Sequence, residues 1–410
     1  MNKDSILLLT KDAQCKSYFP CYGNEYYKGK TPNMDELAEK GTIFHNCYTV
    51  APSSAMSYLG MFTGKYPYEL NLKSYVHVGQ PYSGITLFDR ANNLGFETHV
   101  CWDEHWYEMA FVFSNCYGKN TKIHYLKNLR RGVGPMYKRG DRLELDEKAE
   151  HETFDMVRRE LESIVSSNKK VFLWFHMPHV LNGRRGYADD IDLFDKYIGM
   201  FREYFDDNNI FISSDHGNMN GFRGKLRYGF DVYEPAINIP LISPRLNGMS
   251  ECNTLMVNKD FFDLIFNRKI IESEYVVVDS TYYAQPRRKT AIIWKNYRYI
   301  YNKETKTEEL YDLRWDPNQQ YNIISDWYDD PDRKCKSLAS ELYFYPYWEK
   351  LPTVREIMRA KKDTIWKEPG RTEKTFIALK EWANKNKAAK FVLTPIKRHL
   401  LNKHRKKTKE

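Results

Sequence analysis

The chain has 410 residues, 42% hydrophobic and 15% aromatic, with 29% charged and a formal net charge of +9. That length can bury a large core, and the aromatic content excludes a disordered chain despite the charge. No apolar run approaches the ~20 residues of a membrane-spanning helix, no CxxC pair suggests a zinc cage, and an odd count of seven cysteines argues against a disulfide framework.

The first residues run straight into an apolar segment, with no basic region, apolar core or cleavage site of a leader. Together with the cysteine usage, this predicts a cytoplasmic protein. Residues 5–9 read as a short buried strand, and Asp12 follows it. Residues 31–41 read as a punctuated helix, with Pro32 near its start, acids in the early turns and Gly41 closing it. In Ala51-Pro52-Ser53-Ser54-Ala55-Met56-Ser57, small hydroxylated residues open a second helix. On the residues alone, two readings stand: an N-cap, or a placed hydroxyl. Residues 96–101, 171–176 and 209–213 are further strand candidates, and residues 147–166 carry Met156, Leu161 and Ile164 at helical spacing. His176, inside an apolar run, reads as a satisfied core histidine, and Trp102 as either a pocket wall or a buried cap on the sheet. Strands alternating with helices predict a large, mainly parallel sheet covered on both faces.

Just past residues 209–213 stands Ser214-Asp215-His216-Gly217. Ligands in open α/β sheets bind beyond the carboxyl ends of the strands. An adjacent Asp and His, with Gly permitting close approach, suit a divalent cation; a helix cap or an exposed loop is the alternative. Asp12, beyond another strand, is the natural partner.

From about residue 275 the pattern changes. Residues 290–294 and 297–301 read as a hairpin turning at Lys295-Asn296, followed by a strand at 309–313 that Asp316-Pro317 ends. The chain is thus expected to divide into an α/β unit (1–270), a small antiparallel unit (271–345) and a helical, basic extension (346–410). Basic clusters such as Lys403-His404-Arg405-Lys406-Lys407 allow contact with a membrane surface or anionic polymer, or are simply solvated. With no nucleic-acid-binding module beside them, nucleic acid is not expected as a partner.

Residues 31–41, 51–67 and 210–217 together resemble the sulfatase family of the alkaline phosphatase superfamily. So do 175–179, 233–235 with 239–242, and 297–316, in the same order. The resemblance implies an alkaline phosphatase-like fold and one divalent metal ion (Mn, Mg, Ca or Zn, not distinguished) on Asp12, Ser54, Asp215 and His216. It makes Ser54 the nucleophile and His179 the group on the ester oxygens and leaving group. Lys225 or Arg227 is the candidate to hold the remaining anionic oxygens, at a place where the spacing departs from the family's. Sulfatases proper carry Cys or Ser, then Pro or Ala two places on, then Arg two further, and mature the first to formylglycine. Here those positions are Ser54, Met56 and Tyr58, and Ala13 replaces a second acid. What remains is similar to the single-metal branch with an unmodified hydroxyl nucleophile, such as lipoteichoic acid synthases and phosphoethanolamine transferases. Plain serine lacks the hemiacetal that expels sulfate, so phosphoester hydrolysis or transfer is expected on an anionic substrate, such as a glycan or lipid-linked precursor. The alternatives are a true sulfuric ester hydrolase and a non-catalytic glycan-binding protein.

Overall fold

A computed structural model of the chain describes residues 2–70, 82, 84–103, 116–118, 120–126, 129, 136–139, 142–145, 147–178, 190–225, 228–280, 289–302, 305 and 307–324. His179, Arg227 and the 346–410 extension lie outside the described residues.

The N-terminal third contributes β1 (Ile6–Lys11), α1 (Pro32–Lys40), β2 (Thr42–Phe44), β3 (Cys47–Tyr48) and α2 (Ser54–Thr63). Next come α3 (Leu87–Asn93), β4 (Glu97–Asp103), β5 (Lys122–Leu126), the hairpin β6 (Met136–Arg139) and β7 (Arg142–Leu145), and the long helix α4 (Glu147–Val165). The middle holds β8 (Val171–Met177), α5 (Asp190–Arg202), β9 (Ile210–Ser214), α6 (Glu234–Ile237), β10 (Leu241–Ser243), β11 (Glu251–Cys252), β12 (Met256–Val257) and α7 (Phe261–Phe266). The last described strands are β13 (Val276–Asp279), β14 (Lys289–Trp294), β15 (Tyr297–Asn302) and β16 (Thr307–Asp312).

The main sheet has eight strands in the order β11-β2-β10-β9-β1-β8-β4-β5. Its pairs are parallel except where β10 runs against β9 and β2. The apolar runs are continuous because both faces are buried. Along β1, Ile6 and Leu8 enter one core, shared with α2, α3 and α7, while Leu7 and Leu9 enter the other, shared with α1, α4 and α5. β8 divides the same way, with Phe172 and Trp174 on the first face and Leu173 and Phe175 on the second. Trp102 joins the first core, so it caps the sheet from within.

Helix α1 starts at Pro32, as its sequence signals require, but Thr31 makes no side-chain cap. Asp195 of α5 supplies it instead, accepting from the Met34 and Asn33 N–H groups at 2.7 and 3.3 Å. Strands β13 to β16 form a separate antiparallel sheet in sequential order, with the predicted hairpin turning at Lys295, where φ is 50°.

Candidate active site

β9, β1 and β8 are adjacent and parallel, so their carboxyl ends open at one place. The loops leaving them are tied together. The Asp12 N–H donates to Met177 O at 2.9 Å, and the Gln14 N–H donates to Ser214 Oγ at 3.1 Å. The Ser214 hydroxyl in turn lies 2.6 Å from His216 O and 2.9 Å from Lys11 O. Ala13 holds a left-handed φ of 56°, which aims its N–H at Asp215 Oδ1, 2.9 Å away. For a non-glycine residue this is a strained position, held by its surroundings.

Gly217 is required by the fold rather than by a ligand. A Cβ there would stand 1.9 Å from Pro235 O. The Gly217 and Asn218 N–H groups donate to Ala236 O and Pro235 O at 2.9 and 3.1 Å, so α6 backs the loop directly.

Helix α2 brings the fourth group. Ser53 is its N-cap residue, yet its side chain caps nothing; Ser54, one position on, turns its hydroxyl to the strand ends. The choice between a cap and a placed hydroxyl therefore resolves residue by residue. A buried network that the sequence did not reveal fixes the helix. Ser57 Oγ donates to Asp215 O at 2.6 Å and accepts from Asn258 Nδ2 and Thr49 Oγ1 at 2.8 Å each. No local pattern marks such a contact, because its members come from four separate segments: α2 and the stretches just after β3, β9 and β12.

The result is a cluster in which Asp12, Asp215 and His216, all buried, bring ligand atoms within 4.8 Å of one another. Ser54 Oγ stands 3.3 Å from Asp12 Oδ1 and 3.0 Å from His216 Nε2. Three observations test whether a cation fits. His216 donates its Nδ1–H to Gly217 O at 2.8 Å, which leaves the Nε2 lone pair facing the cluster. Asp215 Oδ1 accepts backbone N–H groups from Ala13 and His216, while buried Oδ2 accepts no hydrogen bond. Two desolvated carboxylates side by side are mutually repulsive, which a cation relieves. Oxygen and imidazole donors with a hydroxyl suit a hard or borderline divalent ion, so the residues fit.

Tyr58 occupies the place where the resemblance expects an arginine. It is buried among Phe62, Trp174 and His176, and burial holds its phenol well above the ordinary pKa, so it is neutral. Its hydroxyl meets Thr10 Oγ1 and His176 Nδ1. His176 is buried in the core and bonded through Nδ1.

Lys225 Nζ pairs with Asp231 Oδ2 at 2.8 Å, and Lys289 Nζ bonds the other oxygen at 2.5 Å. Sequence reasoning also missed Tyr228, whose ring lies over His216 with centroids 4.4 Å apart. The six described cysteines are all free thiols.

A family model described as Sulfatase matches residues 3–248. An ulvan-active sulfatase from Formosa agariphila is 24% identical over 407 residues, covering 81% of this chain and 77% of that protein. An N-acetylglucosamine-6-O-sulfatase from Bacteroides thetaiotaomicron is 34% identical over 67 residues, 16% of this chain and 12% of that protein. Among solved structures, a 2-O GAG sulfatase superposes with a TM-score of 0.63 at 16% identity, covering 88% of this chain and 93% of that one. The phosphonate monoester hydrolase of Agrobacterium radiobacter gives 0.57 at 14% identity, covering 86% and 95%.

Proposed function

The chain belongs to the sulfatase family, and from that premise we propose a metal-dependent hydrolase of anionic glycan esters that uses unmodified Ser54 as nucleophile and prefers phosphoesters. The observation that carries this reading is the convergence of Ser54 Oγ on Asp12 Oδ1 and His216 Nε2 at the carboxyl edge of the sheet. Asp12, Asp215, His216 and the Ser54 oxygen would hold one divalent ion, which would lower the hydroxyl pKa and neutralise charge on the transferred group.

Ser54 is the first residue of α2, whose first-turn N–H groups receive no bond from the Ser53 side chain. They are oriented to hold the equatorial oxygens of a phosphoryl group. Ser54 Oγ attacks phosphorus, its proton passes to Asp12, and the ester P–O bond to the leaving alcohol breaks. We assign His179 to protonate that alcohol, and Lys225 and Arg227 to the outer anionic oxygens. Water then cleaves the phosphoserine and restores the hydroxyl; an alcohol acceptor would make the same step a transfer. Tyr58 supports an unmodified serine, because a neutral phenol supplies no positive charge beside that side chain.

Sulfate ester hydrolysis is the second reading, favoured by the sulfatases among the relatives. The test is turnover of matched aryl phosphate, aryl phosphodiester and aryl sulfate with each divalent metal added, for the natural chain and for Ser54→Ala. Phosphoester turnover reduced by about 10³-fold or more in the variant supports the proposal. Faster sulfate release, with a mass change on the Ser54 peptide, replaces it with the second reading.

A further inference from the structure

After β16 the chain makes a short loop that leaves two large rings in solvent. Trp315 is 50% exposed and Tyr321 67% exposed, and their rings pair with centroids 6.0 Å apart at an interplanar angle of 34°. Burying such rings is among the largest apolar gains open to a fold. Here the chain instead invests its polar groups in holding them out.

The loop is bonded from within. Asp316, buried, accepts from the Gln320 and Tyr321 N–H groups at 2.8 and 2.9 Å, and its own N–H donates to Asp312 O at 3.0 Å. Gln319, fully buried, accepts at Oε1 from the Glu234 N–H at 2.9 Å and from Arg298 at 3.1 Å, while its carbonyl accepts from Arg223. The rings are therefore presented on a fixed frame, which lowers the ordering cost of binding. That frame is anchored to Arg223 and to Glu234 at the start of α6.

The surroundings identify the occupant. The exposed residues between the two rings are Pro317, Asn318 and Gln320. Among the described residues of this loop, the exposed neighbours of the rings are polar apart from Pro317, which does not make the broad apolar patch that protein docking or a lipid surface requires. Two tilted aromatic faces on a loop that also exposes the amides of Asn318 and Gln320 suit pyranose rings, whose axial C–H faces stack on aromatics while their equatorial hydroxyls bond to amides. We propose that Trp315 and Tyr321 form a stacking subsite for sugar units remote from the reacting ester. This rests on the glycan reading above. Binding remote units raises the effective concentration of the ester at Ser54.

Binding read without turnover tests this even if the chain proves inactive on every ester. Affinity electrophoresis through gels containing heparin, ι-carrageenan or neutral dextran would compare four proteins: the natural chain, Trp315→Ala/Tyr321→Ala, Trp315→Phe/Tyr321→Phe and Tyr26→Ala. Tyr26 is an equally exposed ring elsewhere, at 65%. The expected result is retardation by at least one polysaccharide and a Kd about tenfold weaker in the double alanine variant. The phenylalanine pair should regain most of the affinity, Tyr26→Ala should match the natural chain, and Tm should be equal throughout. Equal affinity of the natural chain and the double alanine variant overturns the proposal, as does binding to none of the three. A change in oligomeric state on removing the rings also overturns it, because a second copy would then be the occupant.

Discussion

At Gly217 the smallest side chain decides whether the site exists. Because a Cβ would meet Pro235 O at 1.9 Å, Gly217→Ala must push the Asp215–Asn218 loop off α6. The expected cost is about 1–3 kcal/mol of stability by urea denaturation, with turnover falling further than stability. Asp215→Asn tests the neighbouring position, leaving the shape intact but removing the charge. Metal bound per chain should fall from about one to near zero, and Tm should stop responding to chelator. Retention of full metal content in that variant would remove Asp215 from the ligand set. Asp12, Asp215 and His216 were legible because each follows a strand, where backbone geometry exposes polar groups to one another; Ser54, which its own segment leaves open between a cap and a placed hydroxyl, was singled out by the family resemblance. Ser57, Thr49 and Asn258 were not, since a buried polar contact between distant segments leaves no periodic trace.

Among the elements, the β4–β5 edge has its own electrostatic logic. Glu97 accepts from His99 Nε2 and from Lys122, and His99 Nδ1 lies 2.8 Å from His124 Nε2. Burial is the main influence on His99 and lowers its pKa, so the folded chain resists protonating it. Hydrogen bonds, first from Lys122 and then from Lys169 and His99, bring Glu97 down to about 2 against the penalty of burial. Both groups release protons more readily folded than unfolded, so stability rises with pH through each window. The His99 contribution is complete above the unfolded value of ~6.5 and is lost as pH falls through the lower folded value. The Glu97 contribution is complete above ~4.3 and is lost as pH falls toward 2. Hydrogen exchange should therefore show residues 97–103 and 122–126 losing protection on acidification before β1 and β8; uniform loss across the sheet would contradict this. Strands such as β1 and β8 were legible as unbroken apolar runs. β5 was not, because an edge strand that exposes Lys122 and Ile123 carries no buried stripe.

At the scale of the whole molecule, the small sheet supports the site through one buried cation. Arg298 of β15, fully buried, pairs with Glu234 at the start of α6, whose backbone carbonyls hold Gly217 and Asn218. Burial tends to raise the Glu234 carboxyl, but Arg298 and Lys16 outweigh it and keep it below the usual carboxylate value. Arg298→Met leaves that carboxylate without its main partner. The expected loss is about 3–5 kcal/mol in urea denaturation, with reduced turnover in the protein that remains folded. A stable variant with turnover unchanged would show that the two sheets act independently. Strand and helix alternation made the layered architecture legible, but not the order of the strands or the reversal at β10. Both follow from long-range pairing that no single segment encodes.

The interlock between Ala13 and Asp215 spans 202 residues of chain. During synthesis, β1 emerges first and waits unpaired until β8 and then β9 arrive beside it. The groups that would grip an ion are separate until His216 has left the ribosome, and they lack their backing until α6 has followed. On the proposed reading, metal capture would therefore be an event of late folding. A chain halted anywhere before that point carries Asp12 and Ser54 and still has no cage to put them in.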